Sequence, residues 1–151
     1  MVMLPLLIAT TPPLPPPPLP ADLRPLVRAL DQYGFRLRLE SPPQRGVYGL
    51  FEPRSRTLWV SPLSFALGIG RQTLLHEAAH AVQSCPGGAM RLVGWRLPLA
   101  VVVRQEIEAI TFNGYGHDNR ELEREAFALQ GQPNAVTLLL KALAQTCRRP
   151  G

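Results

Sequence analysis

The sequence predicts a small α+β domain: a short antiparallel sheet of about three strands packed on a buried helix, with further helices around it. Three observations carry that expectation. Residues 35–60 hold short alternating apolar segments separated by Pro, Gly and Ser turns, which is the pattern of strands. Residues 71–84 are apolar nearly all round, which marks a helix enclosed by other elements. With 151 residues, 46% of them apolar, the chain has material for one core and hardly for two.

The elements follow in order. Residues 1–20 contain eight prolines and are expected to form a tail outside a domain that spans residues 21–149. Met1 to Ala9 is apolar but lacks a basic leader and a clean small-residue cleavage site, which favours a cytoplasmic tail over an export signal. Leu23, Leu26, Val27 and Leu30 recur at helical spacing up to Gly34. Phe35 to Glu40 alternates strictly and reads as a half-buried strand. Val47–Phe51 and Thr57–Val60 flank the turn Glu52–Arg56 and form a hairpin that Ser61-Pro62 ends. Gly68 and Gly70 break any helix begun at Ser64, and Cys85-Pro-Gly-Gly88 stops the buried helix. Further helices are expected over 99–110, over 119–130, and from Pro133 to Cys147.

Charge and apolar runs exclude several classes. The apolar runs 1–9 and 97–103 are each interrupted by proline and fall short of the ~20 residues a membrane span needs. The net charge of +5 comes from 15 Arg and one Lys scattered singly, unlike the clustered cations and interleaved aromatics of a nucleic-acid face. The acids, by contrast, cluster: Asp118, Glu121, Glu123 and Glu125 fall within eight residues and point to a cation site. Two cysteines exclude a four-thiolate metal site; Cys85 and Cys147 either pair, pinning the last helix to the buried one, or remain separate buried thiols.

His76-Glu77-Ala78-Ala79-His80 carries the chemistry. Residues four apart share one helix face, so both imidazoles can face one metal ion. Glu77 is rotated by about 100° from His76, beside the metal, where a general base can take a proton from an activated water. Polar groups of this kind in an otherwise apolar helix are costly unless paired or ligated.

These residues, with Leu74-Leu75 before them and Ala81-Val82 after, resemble the active-site helix of the zincin metallopeptidases. The preceding hairpin, Gly46-Val-Tyr-Gly-Leu-Phe and Thr57-Leu-Trp-Val-Ser, is similar to the strands that lead into that helix in small zincins. The resemblance covers roughly residues 46 to 130 and implies a zincin-like domain, Zn²⁺ as cofactor and a peptide or protein substrate. Pro86 stands where the metzincin branch requires a histidine, so that branch is excluded. The gluzincin branch takes a glutamate from a later helix in an E-x-E-A-(D/N) context. Glu123-Arg-Glu125-Ala126-Phe127 matches four positions and departs at Phe127, where an acid or amide would support a ligand.

The expected ligands are therefore His76, His80 and Glu123, with Glu77 as the catalytic base. Glu106, Glu121, Glu125 and His117 are the rival third ligands. On the helical wheel Glu123 falls in the apolar sector, while Glu121 and Glu125 turn toward water. Tyr115 and His117 are candidate oxyanion donors, with solvated loop residues as their alternative reading. Tyr48, Trp59 and Trp95 read as core or rim aromatics. The expected function is zinc-dependent peptide hydrolysis; the alternative is a zincin-fold domain that binds metal or regulates without turnover, as Phe127 and the shortness of the chain suggest.

Overall fold

The most deeply buried of the described helices becomes the axis around which the chain is wound. A computed structural model describes residues 18–99 and 117–151. The helix expected over 99–110 lies outside them, apart from Leu99, which is in coil. A 3₁₀ turn, Ala21–Leu23, feeds α1, Arg24–Gln32, whose Pro25 sits in the first turn, where no N–H is needed. Leu23, Leu26 and Leu30 face the core. Gly34, at φ +83°, turns the chain into β1, Arg36–Arg38, a shorter strand than the 35–40 expected. The hairpin follows as β2, Gly49–Glu52, and β3, Thr57–Val60. Helix α2, Pro62–Ala66, is capped by Ser61, whose Oγ accepts the Leu63 N–H at 3.3 Å. Helices α3, Gly70–Gln83, α4, His117–Gln130, and α5, Ala135–Thr146, complete the described elements.

The expected α+β class with a small sheet is found, but the sheet is mixed and not wholly antiparallel. Its order is β1-β3-β2. The hairpin pairs antiparallel, Phe51 opposite Leu58, whereas β1 runs parallel to β3, Leu37 opposite Leu58. The reason lies in burial. Thr57, Leu58 and Val60 are buried, so β3 takes the centre, while β1, with Arg36 and Arg38, takes an edge. Residues 39–48 carry the chain to the far edge before the hairpin returns it between the two. The turn is held by Arg56, at φ +53°, which donates to the carbonyls of Tyr33 (2.6 Å) and Gly34 (3.2 Å) and lies over the Phe35 ring.

Helix α3 packs against β2 and β3 and is enclosed by α2, α4 and α5. Leu74, Leu75, Ala78, Ala79, Ala81 and Val82 are fully buried, and a buried leucine contributes about 1.5–3 kcal/mol. Leu129 from α4 and Leu139 and Leu143 from α5 close the core. At the start of α3 only glycine fits, because a Cβ on Gly70 would collide with the Phe65 ring. Cys85, just beyond α3, is joined to Cys147, just beyond α5, in a disulfide. No helix among the described residues is long and apolar enough to cross a membrane.

The domain begins slightly before Ala21. Leu19 packs against the core and the Pro20 carbonyl accepts the Leu23 N–H at 3.0 Å, so these residues belong to the fold. Removing residues 1–20 is expected to lower Tm by a few degrees relative to removing 1–17, about 1 kcal/mol for a partly buried leucine; equal Tm values would place Leu19 outside the core. The disulfide spans 62 residues of sequence and should add ~4 kcal/mol on the chain-entropy view. Thiol titration of the denatured, unreduced protein is expected to find no reactive thiol, and Cys147→Ser to melt well below the parent. Two reactive thiols would show the bridge does not form.

Candidate metal centre

Helix α3 presents His76 and His80 one turn apart, and α4 crosses it so that Glu123 meets both. The His76 and His80 Nε2 atoms are 3.1 Å apart. One Glu123 oxygen lies 3.0 Å from His76 Nε2, the other 3.0 Å from His80 Nε2. Their side chains are only 13%, 11% and 15% exposed, so water does little to relieve the contact.

Which ring nitrogens carry hydrogens is dictated from behind. His76 Nδ1 faces the Gln130 Oε1 at 2.9 Å, and His80 Nδ1 faces the Gln83 Oε1 at 2.8 Å. Carbonyl oxygens only accept, so each Nδ1 donates, and in the neutral ring each Nε2 keeps its lone pair. Two imidazole lone pairs and a carboxylate then converge on one point. That arrangement is repulsive unless a positive charge lies between them. Ligands at about 2.0–2.1 Å on the corners of a tetrahedron stand about 3.3 Å apart, close to the separations found. Two imidazoles and one carboxylate form a donor set that can hold a divalent transition-metal ion and leaves coordination positions open.

The same convergence shifts proton affinities. Without a metal ion a proton on the rings supplies that positive charge: burial pushes Glu123 up, but hydrogen bonds and charge from His76 and His80, with hydrogen on Nε2, outweigh it and hold the carboxyl at about 2. Burial pulls His80 down, yet the Glu123 carboxylate raises it above its ordinary 6.5. Glu77 stands outside the triad. Its carboxyl is buried, and burial raises it above 4.5 against the opposing charges of His76 and His80 and the Phe51 N–H that it accepts.

The cleft in front of these residues encloses about 310 Å³, lined by His76, His80, Glu77 and Glu123, by β2 and by Met90. A second lobe, about 470 Å³, shares Gly49, His76 and Glu77 with it and is walled by Tyr48, Ile69 and Phe127. Strand β2 is the edge nearest the site. Ser61 N–H donates to the Tyr48 carbonyl at 2.7 Å, so Tyr48–Ser61 is a hydrogen-bonded pair. By antiparallel alternation, Gly49 and Phe51 direct their N–H and C=O groups to the outer edge. Gly49 also lets β2 approach α3, since a Cβ there would lie 2.7 Å from a Glu77 oxygen and 2.6 Å from the Thr73 methyl.

Of the rival ligands, Glu121 is exposed, and Glu106 and the His117 side chain lie outside the described residues, as does Tyr115, the candidate oxyanion donor. Glu125 does not face water as its helical position suggests: it is 8% exposed, because residues 91–94 cover that side of α4 and donate to it. Phe127, in place of an acid or amide, packs on the His76 ring with centroids 4.5 Å apart. The supporting acceptor comes instead from Gln130, seven residues after Glu123 and on its face of α4. Sequence reasoning missed Gln83 and Gln130. Their only signal was position, Gln83 three residues after His80 and Gln130 two turns after Glu123. No family model, curated protein or solved structure matches the chain.

Two outcomes are expected. In chelator-treated protein, Glu123 contributes stability above pH 4.5 that is lost as pH falls toward 2. His80, raised, contributes below pH 6.5 and loses it as pH rises through the folded value; Glu77, also raised, loses its contribution as pH climbs from 4.5. A melting series should therefore peak between pH 4.5 and 6.5, and a monotonic rise to pH 8 would contradict the ionic contact. Gly49→Ala must push Glu77 aside, so it should leave metal stoichiometry intact while disturbing the base; loss of metal with unchanged Glu77 would reverse that division.

Proposed function

We propose that the chain is a zinc-dependent metallopeptidase, a gluzincin-like hydrolase acting on peptide bonds. The observation that carries this reading is the meeting of His76, His80 and Glu123, with Glu77 beside them and outside the triad, at the edge of a strand whose Gly49 main-chain groups and Phe51 carbonyl have no partner among the described residues. His76, His80 and Glu123 would hold the ion, and Zn²⁺ in that place would supply a Lewis acid that polarises a carbonyl and acidifies a water.

The chain's own groups do the rest. The outer edge of β2, with the N–H and C=O of Gly49 and the C=O of Phe51, receives an extended peptide by strand addition. Glu77 takes the proton of the attacking water and delivers it to the leaving amine. Its burial, which raises its hold on a proton, suits a group that must both accept and return one. Gln83 and Gln130 keep the imidazoles oriented, and Phe127 fixes the plane of His76 from its other side. Phe127 thus ceases to argue for a silent domain, since Gln130 supplies the support that it lacks.

The pair Glu77→Gln and His76→Ala tests the assignment. Glu77→Gln keeps shape but removes basicity, so zinc should stay near one per chain while hydrolysis of an unfolded protein falls by ~10²-fold or more. His76→Ala should lose zinc and, with it, the stabilisation that a native-state ligand confers. Equal zinc loss in both variants would make Glu77 a ligand and end the zincin reading. A zinc-loaded parent that cleaves no unfolded substrate would leave the non-catalytic metal-binding domain.

A further inference from the structure

The second glutamate of the E-x-E pair, Glu125, has no part in the chemistry above, yet it is one of the best-anchored side chains in the molecule. Its Oε1 accepts the Val93 N–H at 2.7 Å and the Gln83 side-chain amide at 3.1 Å; its Oε2 accepts the Gly94 N–H at 2.9 Å. Gln83 is 1% exposed and has its amide nitrogen further fixed by the Leu122 carbonyl at 2.9 Å. With both acceptors on the nitrogen side, the Gln83 oxygen must point the other way, at His80 Nδ1, 2.8 Å off. The Gln83 main-chain carbonyl meanwhile accepts the Arg91 N–H at 2.7 Å, so residues 91–94 form a strap across Gln83 and Glu125 together.

We propose that Glu125 is a positioning residue for the metal centre: it clamps the 91–94 strap and the Gln83 amide, and through Gln83 it holds His80 in the one tautomer whose Nε2 can ligate. The inference rests on the metal reading of the His76–His80–Glu123 cluster. A carboxylate is required because three N–H donors converge on it. A glutamine at 125 would set its own NH₂ against at least one of them; set in the Oε1 place it meets the donors of both Val93 and Gln83, and the Gln83 amide escapes by turning over, giving up its bond to the Leu122 carbonyl. Gln83 would then offer an NH₂ to His80 Nδ1. The ring would accept there and carry its hydrogen on Nε2, toward the site where a ligand lone pair is needed.

The test compares the full-length parent with Glu125→Gln and Gln83→Leu. Nitrogen-15 shifts of the imidazoles in chelator-treated protein report the tautomer directly. The parent is expected to show a hydrogen on His80 Nδ1, held by Gln83 whether or not Nε2 also carries one beside Glu123, and both variants to lose the Nδ1 hydrogen in favour of Nε2–H. Zinc titration should show 10–100-fold weaker binding in each, the usual effect of losing a partner behind a ligand. Gln83→Leu removes the link while leaving Glu125 with its strap, so it carries the test if Glu125→Gln does not fold. A His80 tautomer unchanged in the folded variants, with zinc affinity within twofold of the parent, overturns the proposal. Failure of the parent to bind zinc would sink the metal reading instead, and the tautomer shift would still decide the role of Glu125.

Discussion

Two imidazole nitrogens 3.1 Å apart, each 3.0 Å from a carboxylate oxygen and largely shielded from water, repel one another unless positive charge sits among them. A chain can tolerate such a contact only if the elements bearing it are held by something else. Here α3 is held by β2, β3, α2, α4 and α5, and its buried apolar side chains are all Leu, Ala or Val. The alanines do more than fill space. Ala78 and Ala79 flank the histidines and are fully buried, so neighbouring elements come close on both sides of the site. The apolar core thus supplies the free energy that keeps polar groups together which would otherwise move apart.

The local part of this arrangement was legible in the sequence. The His76–His80 spacing states a helix face, and Glu123 was set apart from Glu121 by the E-x-E-A resemblance and by helical angle, which the exposure of Glu121 matches. Neither inference needed knowledge of how the elements pack. The buried helix, the hairpin and the last two helices were likewise readable, because each is written in the period of its own residues. Helix α2 was not, since its signal is one Ser-Pro cap and a single turn of helix before Gly68.

What was not legible depends on residues distant in the chain. The parallel ladder between β1 and β3 follows from competition for the buried centre of the sheet, which no single strand's pattern expresses. Glu125 turns outward on an isolated helical wheel, and only residues 91–94, a coil without periodicity, make that direction an interior one. Gln83 and Gln130 escaped for a related reason. Glutamine is at home on any helix surface, so its meaning came only when a second helix and a histidine nitrogen were found against it.

The mixed sheet also bears on how copies of the chain behave toward one another. Any three-stranded sheet has two edges, and unpaired edges invite further strands, including those of identical neighbours. Here the two are guarded unequally. The β1 edge is three residues long and carries Arg36 and Arg38, so a second copy brought alongside would set arginine against arginine. The β2 edge offers main-chain groups at Gly49 and Phe51, but Glu77 already holds the Phe51 N–H and the edge lies within the cleft. On the proposed reading, the edge left for a peptide is the recessed one, and the other edge is guarded against a second copy by charge.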